Sequence, residues 1–321
     1  MDFNLTEEQL MIQQAARDFA QTELLPGVIE RDEHQKFPYE QVKKMGELGF
    51  LGMMVDPKYG GAGMDSVSYV LAMEEIAKVD ASAAVVMSVN NSLVCAGLEK
   101  FASEEQKQKY LVPLAKGEVI GAFALSEPEA GSDATSQKTT AIDMGDHYLL
   151  NGTKNWITNG GNAQYYIVIA QTDVEKKHKG INAFIVEKGW EGFVIGKKEE
   201  KLGITGSDTH SLMFTDVKVP KENRIGEDGF GFNFAMAVLN GGRIGIASQA
   251  LGIASGAYEL SLKYAKERKA FGTEIINHQA IAFKLADMHV NIMAARMLCY
   301  KAAAEKDAGL DISESGAMAK L

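Results

Sequence analysis

The stretch that decides the fold lies between Phe123 and Gly161 and contains the segments FALSEPEAGSDA (residues 123–134) and LNGTKNWITNGG (residues 150–161). The first residues favour a strand that ends before Pro128, because proline has no N–H for a strand ladder. Small residues follow, so backbone donors can approach a ligand closely. In the second segment Trp156 places a flat apolar ring beside the Thr158 hydroxyl, between two Asn-Gly turns. This pattern predicts a site for a planar ligand with polar edges; two β-turns around a core tryptophan are the alternative.

Composition limits the classes of function. The chain has 321 residues, 46% hydrophobic and 24% charged, which is ordinary for a globular protein and long enough for two or three domains. Its net charge of −10 argues against a nucleic-acid partner, which needs clustered cations. A polyanionic small ligand stays compatible, since a few aimed donors suffice locally.

Metal, disulfide and membrane functions are not indicated. Cys95 and Cys299 are far apart and predict small core residues, and the six histidines form no metal-binding pair. The acidic start lacks the features of a signal or transit peptide, and no apolar run approaches the ~20 residues that span a bilayer. We therefore expect a soluble, cytoplasmic protein with no metal and no membrane partner.

The pattern along the chain predicts an α+β protein in three domains: an N-terminal helical domain (1–118), a middle antiparallel β-barrel or sandwich (119–229) and a C-terminal helical bundle (230–321). Capping boxes begin helices at Thr6 and Ser103. The predicted strands include residues 165–170, 183–186, 193–195 and 211–219.

Glycines mark the first C-terminal helix, where Gly241, Gly245, Gly252 and Gly256 lie on roughly one face. Each costs up to ~1 kcal/mol of helix stability relative to alanine, so close helix packing or room for a ligand is expected there.

A second helix is predicted over residues 275–308, with its inward positions at Phe283, Met288, Ile292 and Ala295. Ser313 is predicted to cap a last helix that reaches Leu321 without a stop signal, so we expect the C-terminal bundle to be incomplete.

These motifs resemble the acyl-CoA dehydrogenase family, and the two segments resemble its flavin-binding β-domain. The similarity is greatest to the bacterial short-chain, butyryl-CoA branch. Further motifs that match in order are MDFNLTEEQ (1–9), YGGAGMD (59–65), KKEEKLGITGSDT (197–209), FTDVKVP (214–220), GGRIGIASQALGIA (241–254), ERKAFG (267–272) and HQAIAFKLADM (278–288).

The resemblance implies α,β-desaturation of an acyl-CoA thioester with FAD, with electrons passed to an electron-transferring flavoprotein. The hydride needs a flavin because no side chain accepts one, and the α-proton needs a base such as a carboxylate. The family also implies a homo-oligomer, most simply a dimer of dimers.

For FAD, the resemblance implies that Thr158 bonds the reactive edge of the ring, Ser126 its pyrimidine side, and that Trp156 packs nearby. Arg268 would contact the diphosphate and Gln279 the adenosine portion, both across a subunit interface; an exposed helix-end arginine is the alternative for Arg268. The full cofactor set is Phe123, Ala124, Leu125, Ser126, Gly131, Ser132, Trp156, Ile157, Thr158, Arg268, Phe271 and Gln279.

For the CoA thioester, the resemblance implies contacts from Ser132, Asn240, Gly241, Gly242 and Arg243. Many relatives have aspartate where this chain has Asn240, so one charge is missing there. A structural salt bridge is the alternative role for Arg243.

The catalytic base is not expected within residues 1–321. Short- and medium-chain members of the family carry a glutamate in a C-terminal segment that this sequence lacks. The isovaleryl and long-chain branches carry it on the glycine-rich helix, where this chain has Gly242. Glu259, Glu267 and Glu274 match neither position and are predicted to be surface charges.

Two alternatives to a dehydrogenase stay open at this point. An acyl-CoA oxidase is one, although the short length and compact β-domain count against it. A non-catalytic protein that binds a CoA ester or a flavin on the same scaffold is the other, because a fold alone does not determine function.

Overall fold

The computed structural model describes residues 4–321, so the first three residues of the MDFNLTEEQ motif lie outside the described part. Helices occupy the chain on both sides of a central run of strands, which confirms the α+β class. Contacts group the chain into a helical unit (residues up to 28, 65–85 and 243–321) and a sheet unit (29–64 and 86–242). The division at residues 118/119 and 229/230 stays a prediction.

The helices begin and end close to the predicted signals, and both predicted capping boxes are present. The α-helices are α1 Glu7–Phe19, α2 Val28–Glu33, α3 Tyr39–Glu47, α4 Ser66–Ala77, α5 Ala81–Ser88, α6 Ala96–Phe101, α7 Glu104–Gln106, α8 Val112–Ala115, α9 Gly231–Glu267, α10 Gln279–Asp307 and α11 Ser313–Lys320. Single π-helical turns lie at Ala20–Leu24, Val89–Cys95 and Lys107–Leu111. Short 3₁₀ turns lie at Pro57–Tyr59, Val174–Gly180, Lys221–Asn223 and Ile275–Asn277.

The strands of the sheet unit form one eight-stranded sheet. They are β1 Gly121–Ala124, β2 Thr140–Asp143, β3 His147–Thr158, β4 Tyr165–Gln171, β5 Ile181–Glu187, β6 Phe193–Lys198, β7 Thr209–Pro220 and β8 Arg224–Ile225. Their order is β6-β7-β3-β2-β4-β5-β8, with β1 also paired to β4. A separate hairpin of the helical unit consists of β9 Lys269–Ala270 and β10 Thr273–Glu274.

The expectation of an antiparallel sheet is wrong for two pairings, because β1 and β2 each pair with β4 in parallel. The chain runs from β2 through the antiparallel strand β3 before it reaches β4, and β2 and β4 therefore point in the same direction. The remaining pairings of the sheet are antiparallel.

The sheet curls over one apolar core, as a barrel or sandwich requires. The ring of Tyr166 on β4 lies 4.8 Å from that of Phe193 on β6, although three strands separate them in the sheet order. The rings of Tyr148 on β3 and Phe184 on β5 are 4.9 Å apart. Such edge-to-face pairs add to the burial of apolar area.

Two buried asparagines tie the helices of the sheet unit to the start of its sheet. The Asn90 amide donates to the backbone of segment 50–53 (2.8 Å) and to the Leu114 carbonyl (3.2 Å), and its oxygen accepts the Gly121 N–H (3.0 Å). Asn91 accepts from and donates to the same segment, at 2.8 Å each. Both side chains are fully enclosed, so these bonds satisfy groups that water cannot reach.

Buried carboxylates organise the helical unit, where α1 and α10 pack against α4. Glu74 on α4 accepts two hydrogen bonds from Arg296, at 2.5 and 3.2 Å. Its neighbour Glu75 pairs with Arg17 at 2.9 Å and with Lys78 at 3.1 Å. A buried charge needs such partners, and here they connect α4 to α10 through Glu74 and to α1 through Glu75.

The predicted inward face of α10 is only partly correct. Ile292 is buried and Ala295 half-buried, but Phe283 is 62% exposed and Met288 is 45% exposed. Apolar residues occur on all sides of this helix, so periodicity does not single out one buried face.

Two helix starts also differ from the expectation. Residues 275–277 form a 3₁₀ turn, and α10 begins at Gln279. Ser313 is the first residue of α11 and not its cap; its hydroxyl donates to Asp311 at 2.7 Å, and Ile312 occupies the cap position.

One helical run contradicts the expectation that no apolar segment is long enough to span a bilayer. Residues 81–101 meet that length and composition, and 78% of the apolar window is buried inside the protein. A core helix of a globular protein passes the same test, so the run is weak evidence for a membrane.

The glycines of α9 serve both of the purposes that the sequence left open. A Cβ on Gly252 would lie 2.5 Å from the Glu74 carbonyl oxygen, and one on Gly256 would lie 2.4 Å from that of Lys78. A Cβ on Gly241 would meet nothing within 4 Å. Gly252 and Gly256 therefore allow close packing against α4 and the residue that follows it, and Gly241 leaves open space beside α9.

We expect Gly252→Ala to lower the free energy of unfolding by about 1–3 kcal/mol, because the added methyl group overlaps backbone that cannot move cheaply. The matched variant Gly241→Ala, in the same helix, should raise it by up to about 1 kcal/mol. Denaturant unfolding of both variants checks this, and equal effects of the two substitutions would contradict it.

Candidate functional site

The first predicted segment leaves the sheet as a loop, named here the edge loop (residues 125–139). Strand β4 pairs with β5 along one edge. Along its other edge it pairs first with β1 and then with β2, and the edge loop connects these two strands. Gly131 and Ser132 are exposed, and a Cβ on Gly131 would meet nothing within 4 Å. The loop therefore offers open backbone at its tip.

The second segment is a strained turn at the end of β3. Pairing of β3 with β7 shifts register between Lys154 and Ile157, and Trp156 adopts a φ of 63°. The Trp156 side chain is 63% exposed, whereas Ile157 is buried. Asn159 has the same φ of 63°. The core-tryptophan alternative is wrong, and strained backbone that presents an exposed ring is typical of a binding site.

Hydroxyl groups near this ring are available for a ligand. Within residues 4–321 the side chains of Ser126, Ser132 and Thr158 make no hydrogen bond to the protein. Ser126 and Thr158 are half-buried and Ser132 is exposed. Free hydroxyls beside an exposed aromatic ring are the donor set that a planar heteroaromatic ring needs. The residues present therefore fit such a group.

The edge loop and the end of β3 are joined directly. The Asn155 N–H donates to the Ser126 carbonyl at 2.9 Å, and the Lys154 ammonium donates to the Leu125 carbonyl at 2.9 Å. The ammonium also donates to the Glu127 carboxylate at 2.7 Å and to the Gln137 side-chain oxygen at 3.0 Å. These contacts connect the two segments that carry the predicted ring-binding residues into one support.

The ion pair at the centre of this support is buried on both sides. Burial lowers the pKa of Lys154 to about 8, against the opposing charge and hydrogen bond of Glu127. Burial alone would raise the pKa of Glu127, but the Lys154 charge and the Lys138 N–H hold it below its usual value.

Sequence reasoning missed this pair, although a signal for it existed. Alternation along β3 from the buried Tyr148 and Leu150 reaches Lys154 on the same face, which requires an anion inside the protein. Glu127 in the SEPEAG motif is that anion.

The other cofactor residues belong to the helical unit and lie on or beside the β9–β10 hairpin. Arg268 and Gln279 are exposed, and Phe271 is 98% exposed with a φ of 55°. The Phe271 and His278 ring centroids are 5.9 Å apart. The hairpin therefore holds an aromatic ring, a guanidinium group and an amide at the surface.

The predicted thioester residues are consecutive on α9. Asn240, Gly241 and Gly242 are half-buried in the sheet unit, and a Cβ on Gly242 would lie 2.7 Å from the Leu93 Cδ2 atom. Arg243, in the helical unit, is half-buried, and both it and Asn240 already interact with other groups of the protein.

The carboxylates that sequence analysis set aside lie at the surface. Glu259 pairs with Lys78 at 3.1 Å, Glu274 pairs with Lys269 at 3.4 Å, and Glu267 is exposed. In the part of the chain that the structure describes, no group of three or more His, Cys, Asp or Glu side chains could hold a metal ion.

Comparison with known proteins identifies the class. Family models for the N-terminal, middle and C-terminal domains of acyl-CoA dehydrogenase match residues 6–118, 122–217 and 229–321 in that order. The chain belongs to the acyl-CoA dehydrogenase family.

Individual relatives and solved structures are similar to this chain over nearly its whole length. The chain is 52% identical over its whole length to a short-chain specific acyl-CoA dehydrogenase of Clostridium acetobutylicum and covers 85% of that protein. The butyryl-CoA dehydrogenase structure from Megasphaera elsdenii is 48% identical with a TM-score of 0.97, and the match covers 99% of this chain and 84% of that one. A chain in a structure described as the electron transferring flavoprotein of Acidaminococcus fermentans is 51% identical with a TM-score of 0.98, again over 99% and 84%.

We expect Trp156→Gly to weaken FAD binding by about threefold to tenfold, because an aromatic contact contributes about 0.5–1.5 kcal/mol. The stability of the apoprotein should change by less than about 1 kcal/mol, since relief of strain offsets the extra freedom of glycine in the unfolded state. Flavin-fluorescence titration and thermal unfolding check both. Gln35→Gly, which relaxes another residue with positive φ in the sheet unit, is the control; equal FAD affinities of the two variants would contradict the role of Trp156.

Proposed function

We propose that this chain catalyses FAD-dependent α,β-dehydrogenation of short-chain acyl-CoA thioesters, of butyryl-CoA size, to trans-2-enoyl-CoA. Electrons would pass to an electron-transferring flavoprotein. The structural observation that carries the proposal is the exposed Trp156 ring two residues before the free Thr158 hydroxyl, on a segment that the Asn155–Ser126 hydrogen bond joins to the loop with the free Ser126 hydroxyl. Similarity to short-chain relatives along the whole chain supports the substrate class.

The cofactor of this family is FAD, which when bound accepts a hydride from the acyl β-carbon. The chain's own residues would bind and orient it. The Thr158 and Ser126 hydroxyls can hydrogen-bond polar ring edges, and Trp156 can cover the ring and exclude water. Arg268 can donate to a diphosphate with a charge-assisted bond. Arg268 and Gln279, both exposed, would complete a neighbouring subunit's site, and Phe271 on the hairpin between them would add a cofactor contact.

For the thioester, we assign Ser132 at the open tip of the edge loop and the α9 run 240–243. Gly241 leaves room beside the helix, so an extended ligand can approach its backbone. The proton at the α-carbon needs a base, and Gly242 supplies none. We assign this role to a glutamate outside residues 1–321.

We also propose a homo-oligomer, with a dimer of dimers as its simplest form, in the cytoplasm. Exposed apolar side chains on α10 support this: they are Phe283, Met288, Val290 and Met293. The burial of residues 81–101 within the protein supports a soluble enzyme over a membrane-bound one.

The direct test is anaerobic addition of butyryl-CoA to the purified, FAD-loaded gene product. Bleaching of the flavin absorbance, followed by recovery on addition of an electron-transferring flavoprotein, supports the proposal. Rapid recovery with oxygen alone would indicate an oxidase, and binding of butyryl-CoA without bleaching would indicate a non-catalytic protein.

We expect Arg268→Ala to weaken FAD binding roughly tenfold to hundredfold, because a charge-assisted hydrogen bond contributes about 1.5–3 kcal/mol. The variant should also assemble less well if the contact crosses subunits. FAD titration and analytical ultracentrifugation measure the two effects. Lys266→Ala removes an exposed cation from the same helix end and is the control; unchanged FAD affinity in Arg268→Ala would remove the assignment.

We expect residues 1–321, where Gly242 supplies no base, to oxidise butyryl-CoA about 10²–10⁴-fold more slowly than a form with a base at the acyl α-carbon, the usual span for general-base catalysis. Gly242→Glu combined with Leu93→Ala should restore part of the rate, because the second change removes the atom that the new side chain would meet. A dye-reduction assay on folded, FAD-containing samples measures the rates. A full rate from residues 1–321 would place the base inside this chain.

A further inference from the structure

The cluster of Lys154, Glu127 and Gln137 lies under both segments that we assign to the flavin ring. We infer that Lys154 and Glu127 are positioning residues, which hold the edge loop and the tryptophan turn (residues 156–161) in the arrangement that binds FAD. This inference rests on the proposed function.

The Lys154 ammonium group uses all of its hydrogen-bond donors. An ammonium group has three donors, and here they meet three acceptors: the Leu125 carbonyl, the Glu127 carboxylate and the Gln137 amide oxygen. Lys154 stands two positions before Trp156 on β3, and Leu125 directly precedes Ser126. One side chain therefore links the backbone of the hydroxyl-bearing loop to the strand that presents the ring.

The Glu127 carboxylate binds the C-terminal end of the edge loop. The Glu127 carboxylate accepts the Lys138 N–H at 2.6 Å and the Thr139 N–H at 3.1 Å, next to the start of β2. Its backbone closes a turn with Ala130, at 3.0 and 3.3 Å. The start of the loop is thus bonded to Lys154 directly, through the Leu125 carbonyl, and its end is connected to Lys154 through the Glu127 carboxylate.

Stability alone does not account for this arrangement. Burying two charges costs desolvation energy that their attraction recovers only with good geometry, and apolar replacements are often as stable. The lowered pKa of Lys154, about 8, reflects that cost. An apolar pair cannot make directional hydrogen bonds. It would leave the Leu125 carbonyl and the Lys138 and Thr139 N–H groups without their present partners.

The test separates position from stability. In Lys154→Met/Glu127→Gln both charges are removed together, and the glutamine oxygen can still accept from Lys138 and Thr139. We expect the apoprotein Tm to stay within a few degrees of wild type, while the dissociation constant for FAD rises at least about tenfold and the visible circular dichroism of bound flavin changes. A wild-type dissociation constant and spectrum in this variant would overturn the inference.

Gln137→Met decides the matter if the double variant does not fold. It removes one acceptor of the ammonium and leaves both charges, so FAD affinity should fall several-fold with little change in Tm; wild-type affinity would overturn the inference. The control is Arg296→Met/Glu74→Gln, a buried pair of the helical unit. It should change Tm without changing FAD affinity, and an equal loss of affinity there would reduce the effect to general destabilisation and overturn the inference.

These outcomes are distinct from failure of the proposed function. A wild-type protein that binds no FAD would refute the proposed function itself. A wild-type protein that binds FAD, with variants that bind it equally well, refutes the positioning role alone.

Discussion

The sheet unit depends on the need to satisfy two amide side chains in a place without water. Asn90 and Asn91 lie in a π-helical turn, and their bonds reach segment 50–53, the end of α8 and the first residue of β1. Loss of one such partner leaves a buried polar group unpaired, at a cost of about 1–3 kcal/mol. Because β1 leads directly into the edge loop, this amide network also determines where the loop leaves the sheet.

Local signals in the sequence predicted the sheet and several of its strands, but not the exposure of the Trp156 ring. Strict alternation along β3 places Tyr148, Leu150 and Lys154 on the inner face and would place Trp156 there too. A register shift against β7 after Lys154 turns Trp156 outward instead. Such a bulge depends on the partner strand, so a single strand pattern cannot reveal it. The same alternation contains a signal for the buried Lys154, but sequence analysis missed it, because the partner anion lies in a distant motif.

The helices show a different limit. Capping boxes at Thr6 and Ser103 involve neighbours three residues away, and both were predicted correctly. Burial on α10 depends on which elements pack against this helix, and its own periodicity does not show that. The periodicity therefore predicted the burial of Ile292 correctly but wrongly predicted that Phe283 and Met288 are buried. The glycines of α9 fall between these cases: the pattern indicated close approach or open space, and only the structure assigns packing to Gly252 and space to Gly241.

The π-helical turn at Val89–Cys95 has a consequence for how this chain tolerates insertions and deletions. A π turn accommodates one residue more than an α turn, and each residue of a helix rotates the direction of its side chains by about 100°. Deleting one residue from this turn could leave an unbroken α-helix while rotating everything that follows it, including the half-buried Leu93 and the buried Leu98, relative to Asn90. Secondary structure would then look intact although the inward face had changed. The length of this seven-residue turn therefore matters to the packing as well as the buried side chains that it carries.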